Sequence, residues 1–131
     1  MEVAYERRVK EEDIDELGHV NNAVYVKFLE YGRGEWYKQA AGMSFSDMKT
    51  LGIGTVVVRL DITFRKEALL GDVLTIYTKP QKLGTKSFVL KQEIYNQHGE
   101  LLTEAVVTNV MFDPEKRTSI PVIKAIARNF T

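Results

Sequence analysis

The chain has 131 residues, 44% of them hydrophobic and 27% charged, which is ordinary for a single globular domain and unlike a disordered one. Lys plus Arg and Asp plus Glu each number 18, so no global field gathers nucleic acid or an anionic membrane. Cysteine is absent and histidine occurs twice, which removes disulfides, thiol nucleophiles and zinc sites built on thiolates or several imidazoles.

Val3 to Val9 reads as a first strand, with Val3, Tyr5, Arg7 and Val9 on one side. Residues 10–22 are polar, contain Gly18, and read as a loop. Ala23 to Ala41 carries Val24, Tyr25, Phe28, Leu29, Gly32, Trp36 and Ala40 at spacings of three and four, a helical stripe. Asn21 or Asn22 suits its N-cap and Gly42 its C-cap. Gly32 and Gly34 weaken an isolated helix, so their presence predicts a backbone pressed close against another element. Ser44 to Leu51 adds a short helical turn.

The remainder reads as strands. In Thr55 to Arg65, Val56, Val58, Leu60, Ile62 and Phe64 alternate with polar or smaller neighbours at a period of two. Gly71-Asp72 turns the chain into Val73 to Thr78, and Leu83-Gly84-Thr85 turns it again into Ser87 to Tyr95. Asn96-Gln97-His98-Gly99 is a hairpin turn before the last long strand, Leu101 to Phe112. Short turns force antiparallel pairing. The expected fold is α+β, one long helix wrapped by a five-stranded antiparallel sheet, as a single domain over residues 1–131. The first residues lack the apolar run of a secretory signal, and no stretch approaches the roughly 18 apolar residues of a membrane span, so the expected compartment is the cytoplasm.

Familiar catalytic signatures are missing. Gly42-Met43-Ser44-Phe45-Ser46 lacks the second glycine of a nucleophile elbow. Gly32-Arg33-Gly34 lies within the helical stripe and makes a poor dinucleotide site. One segment stands apart: Asp13-Ile14-Asp15-Glu16-Leu17-Gly18-His19-Val20-Asn21-Asn22, directly before the long helix. A helix N-terminus offers unpaired N–H donors and partial positive charge, which stabilise an oxyanion. A neighbouring carboxylate supplies a base or nucleophile. Asp and Asn are also ordinary loop and cap residues, so the spacing alone leaves a structural role open. A D-x-D metal site on Asp13 and Asp15 is a further option, although two carboxylates are few for one.

Asp13-x-Asp15-x-x-Gly18-His19-Val20-Asn21-Asn22-Ala23-x-Tyr25 resembles the signature of hotdog-fold acyl-CoA thioesterases of the 4-hydroxybenzoyl-CoA thioesterase type. The resemblance extends through Asp61-x-x-Phe64, Gly71-Asp72 and Ile120-Pro121, nearly the whole chain. It implies a hotdog fold and hydrolysis of an acyl thioester, carried by coenzyme A or acyl carrier protein, to a free acid and a thiol. Asp15 falls at the position of the catalytic carboxylate, which leaves Asp13 to loop structure. The backbone N–H near Asn22 falls where the carbonyl is polarised. His19, Asn22 and Tyr25 become candidates for positioning the substrate or its oxyanion. The resemblance also implies a homodimer or tetramer with sites shared between subunits, and no cofactor or metal. The chain's long last strands add that an open strand edge invites pairing. The phosphates of coenzyme A call for Lys or Arg at the entrance, with Arg59, Arg65, Lys66, Lys82 and Lys86 as candidates. Phe28, Leu29 and Trp36 lie near the acyl pocket and fit the core equally well. Two alternatives remain: an enoyl-CoA hydratase or dehydratase on the same fold, using His19 with Asp15, and a non-catalytic acyl-CoA-binding module.

Overall fold

The computed structural model describes residues 1–130. Helix α1 runs Asn22–Trp36 and continues as a single wider π turn, Tyr37–Ala41. The Asn21 side chain caps it, accepting from Ala23 N–H at 2.9 Å. Gly42 ends it in the left-handed region at φ +72°, where a Cβ would be strained. The helical stripe read from the sequence thus spans the predicted residues, with its last turn widened. A short helix α2, Phe45–Thr50, follows under a capping box of Ser44 and Asp47.

Strands β1 (Val3–Arg8), β2 (Gly54–Phe64), β3 (Val73–Leu83), β4 (Ser87–Tyr95) and β5 (Leu101–Asp113) form one antiparallel sheet in the order β1-β3-β4-β5-β2. A two-residue strand β6, Thr118–Ser119, pairs with β5 and makes six where five were expected. A one-turn helix α3, Lys124–Ala127, and a 3-10 turn, Arg128–Phe130, close the described chain. Because β2 connects across to the far side of β5, the long open edge is β2 rather than the last strands.

Helix α1 packs over β1 and β3 in the concave face. Gly32 explains how closely: a Cβ there would stand 2.6 Å from Ile76 Cγ2. Around the helix the core divides in two. One cluster holds Tyr25, Phe28, Leu29, Leu74, Ile76 and Ile94. The other holds Trp36, Tyr37, Phe88, Leu90, Met111 and Ile126. Phe28, Leu29 and Trp36 are therefore core residues, fully buried.

The alternation in β2 differs from its sequence reading. A bulge at Val58 shifts the register, so Val57 pairs with Asn109 and Arg59 with Thr108. Since an extra residue reverses the facing of everything beyond it, Thr55 and Val57 share the inward face with Leu60, Ile62 and Phe64. Val56 turns outward with Arg59 and Asp61.

Candidate active site

The loop between β1 and α1 is anchored by its first aspartate. Arg7 Nη2 donates to both oxygens of Asp13, at 3.1 and 3.3 Å, and Lys10 N–H donates to Oδ2 at 2.9 Å. The guanidinium rests on the Phe28 ring, 5.3 Å from its centroid. Asn21 N–H donates to the Asp13 carbonyl, which ties the loop's start to the helix cap. Asp13 is buried, and its hydrogen bonds anchor the loop.

Asp15 sits differently. Its N–H donates to the His19 carbonyl at 3.0 Å, and its own carbonyl accepts from Gly18 N–H at 3.1 Å. Gly18 makes that turn at φ +84°. Leu17 N–H donates to Asp15 Oδ1 at 2.9 Å. The second oxygen, Oδ2, faces His19 Nε2 at 4.0 Å, and the side chain keeps about a quarter of its exposure, 26%. One oxygen is held by a hydrogen bond and the other makes none.

At the start of α1 the Asn21 cap takes Ala23 N–H, and the Asn21 carbonyl takes Val24 N–H. Asn22 N–H has no protein partner among the described residues. It is the free donor at the positive end of the helix.

The opposite wall is the connection between β2 and β3. Val20 N–H donates to the Ala68 carbonyl at 3.0 Å, and Ala68 N–H donates to Tyr25 Oη at 2.8 Å. Tyr25 is buried, edge-on to Phe28 and Phe64, and burial pushes its phenol above the ordinary range. It is the pin between helix and loop. His19, Asn22, Tyr25, Phe64, Arg65, Lys66 and Glu67 line a cavity of about 220 Å³. Asp15 stands outside that lining and connects to it through His19. A larger open hollow of about 620 Å³ lies on the outer sheet face around Tyr77 and Tyr95, away from Asp15.

Of the five candidate cations, Arg65 and Lys66 border the cavity, where they pair with Glu104 and Glu100. Arg59 lies on the outer face of β2 beside Asp61, at 3.8 Å. Lys82 and Lys86 flank the β3–β4 turn, at the opposite end of the sheet from Asp15. The sequence reading missed Phe64, Glu67 and the Arg7–Asp13 pair, since all depend on contacts across elements. Among the described residues no group of three His, Asp or Glu gathers for a metal, and no helix is long and apolar enough to cross a membrane.

A single helix in a curled antiparallel sheet, with a carboxylate loop at the helix N-terminus, defines the hotdog class. Residues 9–130 match the family model of the thioesterase-like superfamily, and the chain belongs to that family. It is 37% identical over 107 residues to the long-chain acyl-CoA thioesterase FadM of Escherichia coli, covering 81% of this chain and 80% of that one. It is 29% identical over 120 residues to the putative acyl-CoA thioesterase YneP of Bacillus subtilis, covering 92% and 86%. The fold superposes on the 1,4-dihydroxy-2-naphthoyl-CoA thioesterase Slr0204 of Synechocystis with a TM-score of 0.89, at 21% identity, over 98% of this chain and 95% of that one.

Proposed function

We propose that this chain is a thioester hydrolase that cleaves acyl-CoA to a carboxylic acid and free coenzyme A, working in the cytoplasm as a homodimer or a tetramer. The observation that carries it is the Asp15 oxygen left without a hydrogen bond and facing His19, on the loop leading into a helix whose Asn22 N–H is unused. The family and the named activities of its relatives support the same reading.

The thioester carbonyl lies against Asn22 N–H, which stabilises the negative charge that develops on its oxygen. Asp15 attacks the carbonyl carbon or takes a proton from an attacking water. The carbon–sulfur bond breaks, the thiolate leaves and takes up a proton, and water supplies the oxygen of the acid. His19 orients Asp15, and Tyr25 holds the β2–β3 connection in place. Arg65 and Lys66 are nearest to the coenzyme phosphates. In a two-fold pairing along β2, the Gly54 end of one strand meets the Phe64 end of the other. That brings the partner's sheet end, with its Lys82 and Lys86, to the same side as the site. Pairing along β2 is supported by its open edge and by exposed Val56, Val57, Val58 and Leu60.

Thiol release across acyl and aryl thioesters, in wild type and Asp15→Asn, tests the mechanism. The variant keeps the shape and loses the basicity, so turnover falls at least about 10²-fold. A folded, fully active Asp15→Asn protein refutes the role given to Asp15. Water addition to an enoyl-CoA, or tight acyl-CoA binding with no thiol release, points instead to a hydratase or a binding module.

A further inference from the structure

A polar seam runs between the two apolar clusters of the core. Thr78 of β3 and Gln92 of β4 interrupt the inward rows of their strands and are fully buried. Gln92 Nε2 donates to Thr78 Oγ1 and to the Leu29 carbonyl of α1, both at 2.9 Å. Gln92 Oε1 accepts from Arg33 Nη1 at 3.1 Å. The close approach at Gly32 lets the helix carry Arg33 inside, where it is 7% exposed.

A guanidinium removed from water needs a counter-charge. No ion pair among the described residues includes Arg33. Glu30, one turn earlier, is exposed and makes no ion pair with it. Gln92 occupies one of five N–H donors. The other guanidinium nitrogens are not sealed in. Among the described residues, the sealed side-chain atoms without a partner are Arg7 Nε, Tyr37 Oη and Thr103 Oγ1. The free donors of Arg33 therefore keep a small contact with solvent.

Arg33 lies on the Asn22 side of the helix. Val26 follows Asn22 by four positions, and Arg33 follows Val26 by seven, so all three stack on one flank. Tyr37, a turn further, lies beside Thr55 of β2. The flank faces β2, whose inward Val57 and Leu60 are 39% and 37% exposed. From Asn22 to Arg33 the helix rises about 16 Å, the span of a medium-chain acyl group. A lane of partly exposed apolar side chains, Val26 facing Val57 and Leu60, thus lies between the free helix N–H and the position of the unpaired Arg33.

We propose that Arg33 is a distal specificity residue, binding the terminal carboxylate of a medium-chain ω-carboxyacyl thioester that lies along the lane between α1 and β2. The proposal rests on the thioester hydrolase reading above. A carboxylate restores neutrality in the seam and fits the planar donor fork. A methyl terminus at the same place leaves the cation unpaired.

The test compares thiol release from mono-CoA thioesters of dicarboxylic acids with simple acyl-CoAs and ω-hydroxyacyl-CoAs of matched length. Wild type shows kcat/KM about 10- to 100-fold higher for the ω-carboxy series, the range of a hydrogen bond to a charged group. In Arg33→Met the ratio falls to about one, and Arg33→Lys retains part of it. The ratio is read within one preparation, so partial unfolding cancels. A wild-type ratio of one or less overturns the proposal whatever the variants do, as does a preference that survives Arg33→Met. Failure to hydrolyse any thioester overturns the thioesterase reading, and the proposal with it.

Discussion

Strands β1 and β2 close the two ends of one sheet, but they meet their surroundings differently. The six residues of β1 lie under α1, with Val3 sealed and Tyr5 edge-on to Tyr31 at 6.4 Å. The eleven residues of β2 are exposed along most of their length, apolar side chains included. Both strands have enough apolar residues to bury one face. The difference is what covers them: α1 packs toward β1 and β3, the inward residues of β5 are still buried, and β2 beyond them is left uncovered. One half of the fold is completed within the chain. The other carries the candidate active site at one end and an open strand along its length. The stable half positions the helix N-terminus, and the open half leaves the surface that the proposed substrate and second subunit would use.

Paired substitutions across the two halves break this comparison hardest. Trp36 is fully buried, donates its indole N–H to the Met1 carbonyl at 2.9 Å, and packs on Tyr37 and Phe130. Trp36→Ala is expected to cost about 3–5 kcal/mol, seen as a large fall in denaturation midpoint. Leu60→Lys on β2 is expected to change the stability of the isolated subunit by less than about 0.5 kcal/mol. On the proposed pairing along β2, the same change is expected to abolish association, because it puts a charge on each copy of an edge that pairing would bury. Sedimentation and thiol release together check this. A Leu60→Lys protein that stays dimeric and active shows that β2 is not the shared edge.

The two aspartates of the loop sharpen the comparison at intermediate scale. Asp13→Asn removes the charge that holds Arg7 and is expected to destabilise by about 1–3 kcal/mol. Its turnover per folded molecule should fall far less than that of Asp15→Asn. Asp15→Asn should leave the melting temperature nearly unchanged, since its carboxylate keeps only the Leu17 N–H bond. Reversed outcomes would exchange the roles of anchor and reactive group.

Much of this was legible locally. The Asn21 cap, the Gly42 stop, the turns at Gly71-Asp72 and Gly99, and the alternation of the long strands are all set by residues within a few positions of one another. The bulge at Val58 was not, because Val56-Val57-Val58 gives no sign of which valine is the extra one. Helix α3, four residues long, is too short to show a period. The polar seam depends on partners as much as 63 positions apart. One trace of it was visible: Arg33 stands inside an apolar helical stripe, where a charge needs a reason. In the site itself, the choice between Asp13 and Asp15 came from resemblance, since spacing treats them alike. Their different hydrogen bonds separate them physically.

The smallest expected effect concerns the strap at the site end of the open half. Lys66, just past β2, pairs with Glu100 in the β4–β5 hairpin, and Asn96 Nδ2 also donates to Glu100 Oε1 at 2.9 Å. The Lys66 ammonium first, and Asn96 second, hold the Glu100 carboxyl below its ordinary range. A folded-state value below the unfolded one means that the pair stabilises above the unfolded carboxylate range and loses that contribution as pH falls through the folded value. Both side chains are exposed, so salt screens the pair and the gain is small. Glu100→Gln should therefore lower the melting temperature slightly at neutral pH and low salt. The difference should shrink with added salt and vanish in acid, where the wild-type carboxyl is protonated too. A difference that persists in acid would assign the strap to the Asn96 hydrogen bond and the hairpin turn rather than to the ion pair. The site end of β2 would then be held by neutral turn geometry, as β1 is held by packing.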